Sequence, residues 1–330
     1  LSESTGNILD NEELISKLET AKKTSAVVKV RIEEGEKTNV EISKTREIYR
    51  PVATRGSVLY FAIALLARVD SMYQYSLQFF QKLYNDRIAQ APHPTPLEKQ
   101  EEQEQQEEQE RLLVLARLEI LIQDITWTMY VSVCRGLFEK DKMLFSFLLT
   151  KTVMLAEKNI DTIELRYFLA GNTAVETSEP NPVALGNGWL KDAAWKDILG
   201  LKDSCPRLQW ITEDLKNNPN AYRIIFESTQ PRDDLVEYLN RKHAGKCDSR
   251  FQELVILRCL RPDKVVQEVQ KYINDELGSD FVDPPQFDLR ASYNISTCET
   301  PIVFVLTTGA DPMTILLRLA NEEGYTTDNG

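Results

Sequence analysis

A heptad alternation of four- and three-residue spacings opens the chain, with apolar side chains at most of its positions. The series runs Leu14, Leu18, Ala21, Ser25, Val28, Ile32, Gly35, Asn39, Ile42, Arg46, Tyr49. This spacing predicts a coiled-coil seam on a long helix over residues 11–49, and Pro51 is expected to end that helix. We call these positions the seam.

The seam needs a partner, because its stripe is too narrow to stabilise a helix of about 55 Å in isolation. We therefore expect it to pair with a second helix. Ser25, Gly35 and Asn39 interrupt the apolar stripe, so that pairing should be soft. The alternative is an ordinary amphipathic helix on a protein surface.

Most of the remaining pattern is helical. A second helix is predicted over 57–88, apolar nearly all round and therefore placed in a core. Pro-rich residues and a Glu/Gln-rich run follow at 91–110, where we expect a solvated insertion. Further helices are predicted at 112–135, 140–158, 162–169, 206–217, 233–241, 250–260 and 263–277, and the apolar residues between 189 and 201 indicate another helical layer.

The last stretch changes period: a β-branched run at 301–306 predicts a strand, followed by a turn at 307–312 and a helix at 313–323. Strand, tight turn and helix is the arrangement of a P-loop. A working P-loop also needs a Lys for the outer phosphates and a Ser or Thr for magnesium, yet no Lys follows Lys271. Asp311 is placed to cap the helix start and to repel phosphate. We predict a degenerate P-loop without nucleotide at Thr308, Gly309, Ala310, Asp311 and Pro312.

Composition excludes several other functions. A net charge of −12 over 330 residues argues against nucleic-acid binding, and the longest apolar stretch, 58–67, is too short to span a membrane. The five cysteines show no CxxC spacing, which is typical of free thiols in a reducing compartment. His243 and Cys247 are only two ligands, so no metal site is predicted. No general acid or base can be assigned, and no catalytic residue is predicted.

Seven strings along nearly the whole chain are informative: 6–15 (GNILDNEELI), 49–61 (YRPVATRGSVLYF), 72–77 (MYQYSL), 135–147 (RGLFEKDKMLFSF), 258–264 (RCLRPDK), 283–289 (DPPQFDL) and 301–312 (PIVFVLTTGADP). In this order, they resemble axonemal dynein heavy chains in the region after the stalk. The run at 98–110 departs from the family pattern, so it receives no family role.

The resemblance implies a mainly α fold: a long coiled-coil helix and an AAA+ lid-type helical bundle, ending in the first strand, loop and helix of a degenerate P-loop α/β module. By domain, it implies a buttress helix at 1–52 and the bundle of the fifth AAA+ module at 53–170. A helical and loop region at 171–290 then leads to the start of the sixth module at 291–330. Because residue 1 is not Met and the last motif needs more chain, both ends are expected to be internal to a longer polypeptide.

The function implied by the resemblance is mechanical. In that family the parent chain is an ATP- and magnesium-dependent, minus-end-directed microtubule motor, and this segment would couple movement of the AAA+ ring to the stalk without a cofactor of its own. Expected partners are the upstream helix, the stalk, neighbouring AAA+ modules, microtubules through the parent chain, and dynein intermediate and light chains or other axonemal proteins. The expected location is the cytoplasm and the cytoskeleton of the ciliary or flagellar axoneme.

Two other functions compete with this one. The heptad and the acidic composition also fit a stand-alone helical scaffold or adaptor. An active P-loop ATPase would instead need nucleotide binding to weaken when residues 307–312 are altered.

Overall fold

The computed structural model describes residues 12–91, 103–171, 179–183, 188–298, 302–304, 306 and 309–325, with the side chains of 12–15 and 103–110 left aside. Within these ranges the chain forms α-helices, short 3-10 turns and connecting loops. The predicted mainly α class is therefore confirmed.

The first helices follow the seam prediction closely. α1 spans Glu12–Ile48 and α2 spans Arg50–Ala64, with Tyr49 as the single turn residue between them. Pro51 lies in the first turn of α2, where the missing N–H would have had no acceptor within the helix. The proline therefore separates two helices without ending helical structure.

The single helix predicted over 57–88 is wrong. α2 gives way to a 3-10 turn at Leu65–Arg68, and α3 spans Leu77–Gln90. Two local hydrogen bonds explain the break: the Asp70 carboxylate accepts from Met72 N–H, and the Ser76 hydroxyl accepts from Phe79 N–H at the start of α3.

The other helices lie mostly where the apolar spacing predicts them. They are α4 Gln103–Cys134, α5 Glu139–Ala156, α6 Thr162–Ala170, α7 Asp192–Ser204, α8 Trp210–Asn217, α9 Pro219–Glu227, α10 Pro231–Lys242, α11 Arg250–Leu260, α12 Val265–Leu277, α13 Leu289–Ile295 and α14 Met313–Glu322. α11 has its predicted bounds, whereas α9 and α13 were not predicted.

The chain divides into two compact units. The first comprises Leu1–Tyr60 and Ser76–Trp127, and the second comprises Phe61–Tyr75 and Thr128–Gly330. In the first unit, the ring of Phe80 lies 5.4 Å from that of Tyr60 and stacks at 6.1 Å on that of Tyr84. Buried Val52 and Leu121 belong to the same unit.

The second unit is organised around α11. Phe251, Leu254, Val255 and Leu257 are all buried, and α11 packs against α6, α7, α10 and α12. A helix that is apolar on nearly every side is stable only when other helices surround it, so α11 takes the centre.

The strand predicted at 301–306 is not formed in the described part of that stretch. Residues 302–304 and 306 have no strand structure. A strand needs the N–H and C=O groups of a neighbouring strand along its length.

Candidate functional site

The seam of α1 faces solvent. Leu18, Val28, Ile32 and Ile42 are 46%, 47%, 55% and 59% exposed, and the smaller seam residues are exposed as well. Leu14 has its side chain outside the described set. No helix among the described residues packs along the seam, so its pairing remains a prediction.

Apolar residues off the seam were overlooked in the sequence. Val27, Val30 and Val40 are each 54% exposed; at 100° per residue Val30 lies on the face of α1 opposite the seam, and Val27 lies about 100° round the helix from Val28. The seam is therefore the longest apolar line on α1 but does not hold all of its apolar surface.

Threonine hydroxyls bond back onto the α1 backbone at three places. Thr20, Thr38 and Thr45 each donate to the carbonyl oxygen four residues earlier, at 2.8, 2.9 and 3.0 Å. Such bonds slightly weaken and bend helices. They add to the softness predicted from Ser25, Gly35 and Asn39.

The turn before α14 has a capped helix start. Gly309 has a φ of +92°, and the Asp311 carboxylate Oδ1 accepts from Met313 N–H at 2.9 Å. Asp311 therefore bonds the first N–H of α14 from the turn, while the N-cap itself is Pro312, which makes no side-chain capping bond. Thr308 lies outside the described residues.

This cap changes what the helix start can bind. A free helix N-terminus attracts phosphate through its N–H groups and its dipole. Here a carboxylate already accepts one of those N–H groups and brings a negative charge to the place that phosphate would occupy. The arrangement suits a structural turn.

His243 and Cys247, the two residues considered as metal ligands, have surroundings that do not favour metal binding. His243 Nε2 is 2.8 Å from Asp214 Oδ1, and burial raises the pKa of the Cys247 thiol to about 12. A protonated thiol is a poor ligand, since the thiolate is the form that binds metal. Within the described residues, no three His, Cys, Asp or Glu side chains form a metal-binding group.

Asp214 forms a buried hub that sequence reasoning missed. Its Oδ2 accepts from the hydroxyls of Tyr222 at 2.9 Å and Tyr238 at 2.8 Å, and its Oδ1 accepts from Asn218 Nδ2 at 2.9 Å. Burial raises the pKa of Asp214, but the Tyr238 and Tyr222 hydroxyls and His243 outweigh burial and hold it below its usual value. The hub joins α8, α9 and α10.

Comparison with known proteins finds relatives of one kind that match nearly the whole chain. No family model matches the chain. The chain is 36% identical over 340 residues to human dynein axonemal heavy chain 6 and 37% identical over 325 residues to human dynein axonemal heavy chain 3, with 98% of the chain covered in each case. It is also 31% identical over 335 residues to the dynein-1-alpha heavy chain of the flagellar inner arm I1 complex from Chlamydomonas reinhardtii, again over 98% of the chain.

The chain belongs to the dynein heavy chain family. This dynein segment spans 8% of the length of the first of these relatives and 7% of each of the other two. The family resemblance predicted from its strings is confirmed. The matches favour dynein membership over the scaffold alternative.

Among the residues that the structure describes, no helix combines the length and the apolar character needed to cross a bilayer.

Proposed function

We propose that this dynein segment acts mechanically: it couples movement of the AAA+ ring to the stalk of its parent heavy chain. α1 forms one half of a two-helix buttress, and its seam packs antiparallel against a helix that precedes this segment in the parent chain. The segment supplies no catalytic residue.

The observation that carries this proposal is the exposed seam. Leu18 and Ile42 are separated by about 36 Å of helix, at 1.5 Å per residue, and the large apolar side chains between them on this line are exposed. Burial of apolar surface stabilises by about 25 cal/mol per Å². A second helix along this line would therefore stabilise α1 as a rod that can transmit force.

The parent chain supplies the remaining functions in this proposal. ATP and magnesium bind in other modules of the parent chain, and microtubules are bound through its stalk. The turn at Asp311 stays without nucleotide. Neighbouring AAA+ modules, dynein intermediate and light chains or other axonemal proteins complete its surroundings in a cilium or flagellum, in keeping with the axonemal relatives.

Charge placed on the seam tests this proposal. Val28→Asp with Ile32→Asp, introduced into the full heavy chain, should separate ATP turnover from microtubule affinity, because two carboxylates cannot be buried against an apolar partner helix. Microtubule-stimulated ATPase activity should fall several-fold towards the basal rate, while basal turnover stays close to wild type. Both rates and the microtubule affinity are measured on the same preparations.

The matched control places the same charges at two positions of α1 off the seam. Val27→Asp with Val30→Asp changes side chains of similar exposure on the same helix. We expect this control to retain stimulation. Full stimulation in the seam variant, or an equal loss in both variants, would count against the relay role of the seam.

A further inference from the structure

A groove opens where α1 joins α2 and encloses about 640 Å³. Buried Val52 and Leu121 form its floor, Tyr84 and Ile88 of α3 form one wall, and Arg46 lies on its rim. All of its lining residues belong to the first unit. We call this cavity the joint groove.

The joint groove continues the seam of α1. The last two seam positions, Arg46 and Tyr49, both line it. Tyr49 is 37% exposed and the opposite wall residue Ile88 is 36% exposed, so the apolar interior is open to solvent. A helix that follows the seam to the end of α1 therefore arrives at this cavity.

We propose that the joint groove receives the first turns of the helix that pairs with α1, a segment of the same heavy chain. This inference rests on the proposed function and adds a binding site for the first turns of the partner helix of the buttress. An antiparallel helix that leads into the start of α1 must begin beside the end of α1, which is where the groove lies. The parent chains of the relatives have ample length for it, since this segment spans 8% of the first of them.

Charge at the rim defines the chemistry of the occupant. Arg46, Arg50 and Arg117 line the groove with a single carboxylate, Glu47, which pairs with Arg50 at 3.0 Å. Arg117 is buried and donates to the Ala91 carbonyl oxygen at 2.8 Å, so Arg46 is the basic residue left at the rim, on a chain with a net charge of −12. Acidic residues are favoured in the first turn of a helix because they complement its dipole. The fitting occupant is thus a helix start with apolar side chains for the floor and Asp or Glu opposite Arg46.

Photocrosslinking in the full heavy chain tests this seat. The photoreactive residue p-benzoylphenylalanine replaces Ile88 in the groove, Ile32 on the seam, or Gln81, which is exposed on α3 outside the groove. After irradiation, the crosslinked peptides are identified by mass spectrometry. We expect the Ile88 probe to capture the start of one upstream helix and the Ile32 probe to capture a later part of the same helix. The Gln81 probe should not capture it.

A substitution that fills the joint groove with a bulky side chain adds a second test. Ala53 lines the groove and Ala89 does not, although both are exposed. Ala53→Trp should lower the yield of the Ile88 crosslink several-fold and leave the Ile32 crosslink in place, whereas Ala89→Trp should change neither.

The outcomes separate the two proposals. If the Ile32 probe captures an upstream helix while the Ile88 probe captures a second heavy chain, another segment or nothing, the groove proposal is overturned and the proposed function stands. If the Ile32 probe captures no upstream helix, the proposed function is overturned, and the groove proposal with it.

Discussion

At the scale of single residues, Asp214 shows how a buried carboxylate stabilises the second unit. Its oxygens accept from the hydroxyls of Tyr222 and Tyr238 and from the Asn218 side chain, and they contact His243. Hydrogen bonds to a charged group contribute more than neutral ones, at roughly 1.5–3 kcal/mol each. Loss of the charge should therefore weaken the packing of α8, α9 and α10 together.

Asp214→Asn should destabilise the chain by about 3 kcal/mol at pH 7, and the difference should shrink in acid. The folded pKa of Asp214 lies below its usual value, so its contribution is complete above the unfolded pKa of about 3.9 and is lost as the pH falls through the folded pKa. Urea denaturation of both proteins at pH 7 and at about pH 3 measures this change.

The neighbouring Glu213 provides the control. It is 61% exposed and pairs with Lys216 at the surface, so Glu213→Gln should cost little at either pH. An Asp214→Asn effect that is the same at both pH values would show that its charge does not stabilise the hub.

Local chemistry decides which residues could be predicted from the sequence. Asp311 was found because an Asp–Pro pair just before an amphipathic helix is a short-range capping signal. Asp214 was missed because its partners come from later in the chain and meet only when α8, α9 and α10 pack together. Among many carboxylates in an acidic chain, nothing marks this one.

At the scale of helices, predictions succeeded where a cap and an apolar period coincide. α11 begins after Ser249, whose hydroxyl accepts from Gln252 N–H, and both signals are visible in the sequence. α9 was missed because only Asn218 separates it from α8, so the two short helices merge in the apolar pattern. The break between α2 and α3 was missed because apolar residues continue across it.

Two glycine-to-alanine changes should have opposite effects on their helices. At Gly35 in α1, an added Cβ meets no atom within 4 Å, so Gly35→Ala should stabilise α1 by about 0.5–1 kcal/mol. At Gly56 in α2, the Cβ would lie 2.6 Å from Tyr84 Cε2, on a ring stacked against Phe80. Gly56→Ala should therefore destabilise α2 by about 1–3 kcal/mol.

Amide hydrogen exchange measures both changes in the helix where they occur. Exchange should slow around residue 35 in the first variant and accelerate around residue 56 in the second. If Gly35→Ala accelerated exchange, the glycine would be needed for a bend or a close contact of α1, and the softness assigned to it would need another cause.

At the scale of the whole molecule, apolar surface is exposed at both ends of the described chain. Seam residues of α1 are one case, and Met313, Ile315 and Leu317 of α14, at 53%, 53% and 50% exposure, are the other. The fold class could be predicted because helix periods are local. The β-branched pattern at 301–306 could not by itself decide whether a strand forms, since strand formation depends on a neighbouring strand elsewhere in the fold.

A substitution in the turn before α14 distinguishes a structural turn from a nucleotide site. Ala310→Trp places a bulky side chain in the exposed turn beside Asp311, where it would obstruct any phosphate. Because the turn is already capped by a carboxylate and no Lys follows Lys271, the full heavy chain should retain its number of bound nucleotides. Asn321→Trp, on an exposed position of α14 away from the turn, is the control, and nucleotide released from denatured protein is counted by chromatography. Loss of one nucleotide per chain in Ala310→Trp alone would restore the ATPase alternative, because only a phosphate held at this turn would sense that change.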